Sequence, residues 1–274
     1  MKVVIIILGV LAILAVLYLL AIMPRMTKRP DYTPLMGRHY AHRGLHDNKS
    51  DAPENSMAAF RKAIEAGYGI ELDVQLTKDR IPVVFHDETL KRVCGVEGNV
   101  RDYTYEELQQ FHLYQSQEKI PLFSDFLKLV DGQVPLIIEI KIHENVNTVC
   151  SIADELIKDY KGVYCIESFH PLAVNWYRKQ HPDVIRGQLS SNFNEKGKRE
   201  TPAMFLVHYL LLNFLCRPDF IAYDHEHKKN LSRLLCKNLY HALSVAWTIK
   251  SQQQLNDSKD DFSLFIFEQF IPEK

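Results

Sequence analysis

The sequence has few cysteines, and their spacing fits neither a disulfide framework nor a zinc site. The five are odd in number, widely separated and free of any Cys-x-x-Cys motif. This excludes a small disulfide-stapled domain and a zinc ribbon or finger. We expect reduced thiols, mostly buried as small apolar side chains. They are Cys94, Cys150, Cys165, Cys216 and Cys236.

An excess of charge of one sign is also missing. Lysine and arginine number 33 and aspartate and glutamate 34, so the formal net charge of the 274 residues is −1. Proteins that bind nucleic acid through their electrostatic field carry a strong positive excess. We therefore expect no nucleic-acid partner. Low-complexity tracts and internal repeats are absent as well, and 46% apolar side chains are typical of a globular fold.

Long hydrophobic runs are absent except for one. Val3–Met23 has no charged residue, and only Gly9 and Tyr18 depart from aliphatic, alanine or methionine side chains. A helix of this length covers about 30 Å, the thickness of a bilayer's hydrocarbon core. The run passes into Pro24-Arg25-Met26 without a small-x-small cleavage site. We expect an uncleaved single-span anchor rather than a signal peptide or a buried core helix.

The charges beside this run bear on its orientation. Lys2 alone precedes it, whereas Arg25, Lys28, Arg29 and Arg38 follow it. Cytoplasmic flanks carry the excess of lysine and arginine, so the bias favours a cell-membrane protein with a cytoplasmic C-terminal domain. The unpaired cysteines agree with a reducing compartment.

Three segments result: residues 1–23 as the anchor, 24–36 as a proline-containing linker, and 37–274 as one domain. The last is near the ~250 residues typical of a (β/α)8 barrel. Short apolar runs that end in polar clusters alternate there with helix-like stretches. We predict an α/β fold, a (β/α)8 TIM barrel preceded by one N-terminal transmembrane helix.

Nine segments qualify as strands, one more than the barrel holds, so one is either not a strand or peripheral to the barrel. A tight connection through Lys78-Asp79-Arg80 joins the second and third, because the gap is too short for a helix. Glu54–Ala66 is expected to be the first helix, starting near Asn55 or Ser56 and ending at Gly67. The strands are His39–His42, Gly69–Val74, Pro82–His86, Leu136–Lys141, Tyr164–Ser168, Ile185–Leu189, Phe220–Tyr223, Ser244–Thr248 and Ser263–Phe267.

A later segment, Pro202–Cys216, is apolar nearly all round. Two interpretations remain open. It is either a barrel helix buried among its neighbours or a second membrane contact beside the mouth of the site.

Polar residues are concentrated where four of the strands end, which is where barrels of this type build their active sites. Glu71 and Asp73 project to one side of a strand, because strand side chains alternate, and Glu139 and Lys141 do the same. Charges within apolar strands are costly unless they are paired or bind a metal. The opposite face of the first of these strands, which should meet the helices, carries Ile70, Leu72 and Val74.

Converging carboxylates of Glu71, Asp73 and Glu139 suit a hard divalent cation, Mg²⁺ or Ca²⁺, rather than a soft metal. His42 and His86, at neighbouring strand ends, could serve as acid and base near neutral pH.

Donors for an anionic oxygen are supplied at the same edge by Arg43 and Lys141. Taken singly, each of these features is also compatible with a structural ion pair. Together with a cation and two histidines they suit chemistry at a phosphoryl oxygen.

The order and spacing of these motifs resemble a known family. The motifs are His42-Arg43-Gly44, Pro53-Glu54-Asn55-Ser56, Phe60, Gly67, Glu71-Leu72-Asp73-Val74, Thr77-Lys78-Asp79, Pro82-Val83-Val84, His86-Asp87 and Glu139-Ile140-Lys141. This set resembles the signature of the glycerophosphodiester phosphodiesterases. A weaker similarity continues through Ser168-Phe169 to Ala246-Trp247-Thr248.

The resemblance implies a TIM barrel that cleaves glycerophosphodiesters into glycerol phosphate and an alcohol with a bound divalent cation. It also implies a role for each matching residue: His42 and His86 as the acid–base pair, Glu71, Asp73 and Glu139 as metal ligands, Arg43 and Lys141 as phosphate contacts, Trp247 as the wall of the glycerol pocket, and Glu54 and Asn55 near the site. The attacking group is either the glycerol's own hydroxyl or water.

Two segments depart from the family pattern. Members usually end in a Gly-Val-Asp strand followed by Thr-Asp or Thr-Asn before a proline, where this chain has Phe262 to Pro272. Ile249-Lys250 stands where Val-Asn is usual. Both departures concern the far wall of the pocket, and with it the head group accepted.

Two alternatives are kept. One is a related phospholipase D-like enzyme acting on phospholipids or lysophospholipids, which the anchor and Pro202–Cys216 would favour. The other is a non-catalytic anchored binding module, whose mark would be the loss of a catalytic histidine or a carboxylate. None is lost here.

Overall fold

Eight parallel strands close into a barrel in the computed structural model, which describes residues 1–194 and 200–273. Strand β1 pairs in parallel with both β2 and β9, so the barrel has no open edge. The predicted TIM barrel is confirmed. The strands are β1 Tyr40–His42, β2 Gly69–Leu76, β3 Pro82–Val84, β4 Leu136–Ile140, β5 Tyr164–Ser168, β6 Arg186–Ser190, β7 Phe220–Asp224, β8 Leu243–Ile249 and β9 Leu264–Phe267.

The ninth strand is β3, and it lies outside the barrel. It pairs antiparallel with the end of β2, with Val74 opposite Val84 and Leu76 opposite Pro82. A parallel partner would need a crossover of a dozen or more residues, and only Thr77 to Ile81 connect the two strands. β4 takes the place beside β2 instead.

Helices follow the barrel strands on the outside. Their bounds are α1 Lys2–Ile22, α2 Met57–Ala66, α3 Lys91–Cys94, α4 Tyr105–Leu108, α5 Phe123–Val130, α6 Val146–Ile157, α7 Pro171–Gln180, α8 Pro202–His208, α9 Asn213–Cys216, α10 Leu231–Asn238 and α11 Gln252–Ser258.

The first barrel helix is shorter than predicted. α2 starts after Ser56, whose side-chain oxygen accepts a hydrogen bond from the Ala59 N–H at 3.1 Å and caps the helix. Asn55 has a left-handed backbone, with φ of 55°. Glu54 and Asn55 therefore lie in the loop before the helix, at the mouth of the barrel. Gly67 ends α2 with φ of 77°, as expected.

The apolar segment Pro202–Cys216 is not one helix. It forms α8 and α9, separated by a turn in which Leu210 has φ of 55°. Leu210 is buried, whereas Met204 and Phe205 are exposed. The segment is therefore neither a single helix nor fully buried.

The apolar core has two layers, as expected for a barrel. Ile70, Leu72 and Val74 pack outward against the helices, which confirms the predicted face. Side chains such as Ile137 and Phe220 fill the barrel interior. The alternation along β2 and β4 that separates these layers also directs carboxylates into the mouth.

The segment 24–36 packs along the end of the barrel opposite the strand carboxyl ends. Arg25 Nη1 lies 3.2 Å from Asp219 Oδ1, and Arg29 Nη1 donates to the His241 carbonyl at 2.8 Å. Leu35 is buried among the interior side chains. Helix α1 is the one helix among the described residues that is long and apolar enough to cross a membrane, a test that signal sequences also pass.

Candidate active site

Acidic side chains line up across neighbouring strands at the mouth of the barrel. The pairing of β1, β2, β4 and β5 places His42 opposite Glu71, Asp73 opposite Glu139, and Glu139 opposite Glu167. All four carboxylates are buried. Parallel strands share one direction, so residues at successive carboxyl ends form a continuous acidic row.

The predicted metal ligands Glu71, Asp73 and Glu139 converge, with one oxygen of each within 4.8 Å of the others. Burial, and after it the charges of Asp73 and Glu167, raises the pKa of Glu71 well above its usual range. Such mutual repulsion in a buried all-oxygen set is relieved by a hard cation. The three carboxylates therefore fit a divalent metal ion.

Lys141 lies against this acidic set rather than in the open mouth. Its Nζ is 3.0 Å from Asp73 Oδ1 and 2.8 Å from Glu139 Oε2. Burial opposes ionisation of Asp73, but Lys141 in particular outweighs it and holds the pKa of Asp73 well below its usual range. Asn55 Nδ2 also donates to Asp73, at 2.9 Å.

Arg43 joins the acidic row to a second charged cluster. Its Nε lies 3.4 Å from Asp73 Oδ2, and its Nη1 donates to Glu54 Oε1 at 2.9 Å. Arg92 donates from Nη1 to Glu54 Oε2 at 3.0 Å, and the Tyr114 hydroxyl donates to the same oxygen at 3.2 Å. Burial alone would raise the pKa of Glu54, but its arginine partners lower it to about 2.

Each of the two histidines has a carboxylate on its Nδ1 atom. His42 Nδ1 lies 2.6 Å from Glu268 Oε2, and its Nε2 lies 3.9 Å from Glu71 Oε2. Burial, with Arg43, lowers the pKa of His42 to about 4 against the opposing effect of Glu268. His86 Nδ1 lies 2.6 Å from Asp87 Oδ1.

A cavity of about 470 Å³ brings most of the predicted site residues together. Asn55, Asp73 and Lys141 stand behind its wall, through the contacts just described. The Trp247 ring packs edge-on against Phe169, and among the described residues nothing accepts a hydrogen bond from its buried Nε1. The predicted residues that line the cavity are His42, Arg43, Glu54, Glu71, His86, Glu139 and Trp247.

A second, more apolar groove of about 870 Å³ adjoins the first cavity. The two share His86, Glu139 and Phe169 in their walls. The groove runs outward between α7 and the α8–α9 segment, where its walls include Leu172 and Met204.

The family comparison covers this constellation except for Glu268. The model of the glycerophosphoryl diester phosphodiesterase family matches residues 42–253, from His42 to the start of α11. The chain belongs to the glycerophosphoryl diester phosphodiesterase family. The expectation from the strand-end motifs is confirmed.

Individual members of this family match over shorter stretches. A glycerophosphodiester phosphodiesterase of Bacillus altitudinis is 36% identical over 162 residues, 54% of this chain and 64% of that protein. A human lysophospholipase D is 33% identical over 139 residues, 46% of this chain and 42% of that protein. The matches thus span less than two thirds of the length of these relatives.

Solved structures share the fold. A phosphodiesterase from Oleispira antarctica, determined in complex with its product sn-glycerol-3-phosphate, aligns with a TM-score of 0.67 at 22% identity. The alignment covers 85% of this chain and 93% of that one.

Sequence reasoning missed Glu268, Glu167 and Arg92. Glu268 directly follows the last strand, so the rule that polar residues gather at strand ends would have found it. Lys250 Nζ lies 2.9 Å from Glu268 Oε1, so the two departures from the glycerophosphodiesterase pattern contact each other. Arg92, on the short helix α3, has no local signal, because only the tertiary fold brings it to Glu54.

Proposed function

We propose that this protein is a membrane-anchored, divalent-cation-dependent phosphodiesterase that cleaves glycerophosphodiesters into glycerol phosphate and an alcohol. One observation carries the proposal: three buried carboxylates and two histidines, each with its own carboxylate partner, converge on one cavity of about 470 Å³. Family membership supports the same reaction.

In this mechanism His42 acts as the base. Glu268 accepts a hydrogen bond from Nδ1–H of His42, which leaves the Nε2 lone pair directed toward the acidic row. With its pKa lowered to about 4, the ring is neutral at pH 7 and can take a proton from the attacking hydroxyl or water.

His86 then acts as the acid that protonates the leaving oxygen. Its Nδ1 is held by Asp87, which Arg92 Nε contacts at 2.7 Å. This chain of contacts orients the ring. The Trp247 indole N–H, which lacks a protein acceptor in the described part of the chain, can donate to the glycerol moiety.

Glu71, Asp73 and Glu139 would hold the cation, Mg²⁺ or Ca²⁺. When bound, it supplies Lewis-acid stabilisation of the charge that develops on the phosphoryl oxygens. Arg43 and Lys141 hold the carboxylates in place and add positive charge beside the phosphate.

The test is an assay of the detergent-solubilised full chain on glycerophosphocholine and glycerophosphoethanolamine, with Mg²⁺ and Ca²⁺ supplied separately. We expect EDTA to abolish turnover, and His42→Ala and His86→Ala to lower kcat by about 10²–10⁴-fold. His112→Ala, an exposed histidine, is the matched control. Full activity in EDTA would refute the metal assignment.

A second candidate is favoured by the apolar groove. At about 870 Å³, and sharing walls with the cavity, it can hold the acyl chain of a lysophospholipid. Assays on lysophosphatidylcholines of increasing chain length separate the two activities. Turnover that rises with chain length supports the second candidate, and good turnover of glycerophosphocholine with no such dependence supports the first.

A further inference from the structure

Within the described residues, helix α1 packs against the barrel only through its C-terminal turns. Tyr18 OH is 2.8 Å from Ser232 Oγ, and the Ile22 carbonyl accepts from Asn213 Nδ2 at 3.0 Å and from Cys236 Sγ at 3.4 Å. Ile22 is buried, whereas every residue from Met1 to Leu17 is exposed.

These contacts set the direction in which α1 leaves the barrel. Helix α10 follows β7, so its first residues lie at the strand carboxyl ends, the level of the active site. Tyr18 meets Ser232 in the first turn of α10, and Ile22 meets Cys236 one turn lower. Helix α1 therefore runs parallel to α10, and its exposed N-terminal part projects beyond the active-site face.

The length of that exposed part leaves no gap between barrel and bilayer. Val3–Leu17 separates the charge of Lys2 from the contact at Tyr18. Its 15 residues span about 22 Å as a helix. A bilayer's hydrocarbon core is ~30 Å thick, and tilting only shortens the reach of a helix across it. The exposed part of α1 is therefore too short to span the bilayer with the barrel held away from it. If α1 spans the bilayer, the active-site face of the barrel must lie against the membrane surface.

The same side of the barrel carries exposed apolar side chains, which we name the apolar collar. Leu172 follows β5, Met204 and Phe205 follow β6, and Leu231 follows β7, each near a strand carboxyl end. All four are 43–60% exposed. Leu231 directly precedes Ser232, the residue that Tyr18 of α1 contacts.

We propose that the apolar collar rests in the interfacial layer of a lipid bilayer, so that the mouth of the active site opens onto the membrane in which α1 is embedded. The occupant is the bilayer, because the collar is continuous with the apolar surface of α1. The inference rests on the membrane anchor of the proposed function. The groove, walled by Leu172 and Met204, then opens at the lipid surface and admits an acyl chain without passage through water.

Photocrosslinking of the full chain in phosphatidylcholine–phosphatidylglycerol vesicles tests this placement. Benzoylphenylalanine replaces Phe205 or Leu231. Leu239 and Val163 are matched controls, because both are exposed apolar residues at the opposite end of the barrel, and Leu239 directly follows α10, the helix that begins at Leu231.

We expect phospholipid adducts, detected by mass spectrometry, at both collar positions and at Leu11 of α1, and none at the two controls. Adducts at Leu11 alone would overturn the proposal, as would equal labelling of Leu239. Adducts between two protein chains at the collar would also overturn it, since they would make the collar a dimer interface. A lack of adducts even at Leu11 would remove the anchor and the proposal with it.

A charge in the collar tests the consequence for catalysis. We expect Phe205→Asp to lower hydrolysis of vesicle-borne lysophosphatidylcholine at least tenfold, with soluble glycerophosphocholine cleaved within twofold of wild type. Leu239→Asp should change neither the rate on vesicles nor the rate on soluble glycerophosphocholine. Equal rates on vesicles for Phe205→Asp and wild type would contradict the proposal. If wild type cleaves neither substrate, the proposed function fails, while the crosslinking still decides where the collar lies.

Discussion

At the scale of single residues, the site depends on pairs of opposite charge rather than on isolated catalytic groups. Glu268 is the clearest case, because its two oxygens contact His42 at 2.6 Å and Lys250 at 2.9 Å. Burial disfavours its ionised form, but these partners outweigh burial and hold the pKa of Glu268 below its usual range. It is a positioning residue, since it acts through His42.

Glu268→Gln should therefore change kcat more than KM. We expect kcat for glycerophosphocholine to fall by about ten- to a hundredfold, because the ring of His42 loses the charge that fixes its tautomer. Steady-state kinetics measure the split. Glu273→Gln, an exposed glutamate in the same tail, should behave as wild type. A raised KM with unchanged kcat would show that Glu268 contacts substrate instead.

Glu54 allows a test of pH dependence. Its pKa falls from 4.5 to about 2 in the folded protein. A depressed carboxyl pKa stabilises the fold above pH ~4.5, and this contribution is lost as the pH falls toward 2. We expect Glu54→Gln to lower the free energy of unfolding by about 3 kcal/mol at pH 7 and by less at pH 4.

Urea unfolding of the detergent-solubilised full chain at pH 7, 5 and 4 measures this difference, with the exposed Glu65→Gln as control. A difference between wild type and Glu54→Gln that stays constant over this range would show that the ionised carboxylate does not stabilise the fold.

At the scale of secondary-structure elements, close packing inside the barrel restricts the strands. A Cβ added to Gly187 in β6 would lie 2.0 Å from Cε2 of Phe220 in β7. The ring of Phe220 is buried in the barrel interior and has little room to move. The pairing of β6 with β7 therefore requires the absence of a side chain at position 187.

Gly187→Ala should accordingly destabilise the protein, by about 1–3 kcal/mol. Chemical unfolding measures the loss. Combining it with Phe220→Leu should recover part of it, because the smaller side chain makes room for the methyl group. Additive losses in the double variant would indicate that the two positions do not interact.

Secondary-structure elements were predicted well where the local sequence pattern was sufficient. They were predicted less well where tertiary contacts determined the backbone conformation. Strand alternation identified the two faces of β2, and Ser56 and Gly67 identified the ends of α2. The break between α8 and α9 could not be foreseen, because no glycine or proline marks it. Leu210 accepts a left-handed backbone there while its side chain is buried.

At the scale of the whole molecule, the segment 24–36 ties the apolar helix to the barrel. Arg25 contacts Asp219, 194 residues away, and donates to the Pro182 carbonyl at 3.0 Å. The side chain of Asp219 is fully buried, and its other cationic partner is Arg186 at 3.5 Å.

Arg25→Ala should lower the free energy of unfolding by about 2–4 kcal/mol, because it leaves the buried Asp219 carboxylate with one cation at longer distance. Urea unfolding of the solubilised full chain measures this. Lys28→Ala, in the same segment and exposed, should cost less than about 0.5 kcal/mol. Equal stability of the two variants would mean that the ion pair does not hold the segment.

The sequence by itself determined the barrel, the apolar helix and three of the four carboxylates in the acidic row. Each of these depends on local information: alternation along a strand, the length of an apolar run, and polar residues at strand ends. The tertiary structure decided which carboxylate supports each histidine, since Glu268 reaches His42 only when the last strand closes on the first. It also decided beyond which face of the barrel α1 projects. That direction depends on contacts of Tyr18 and Ile22 with a helix more than 200 residues further along the chain.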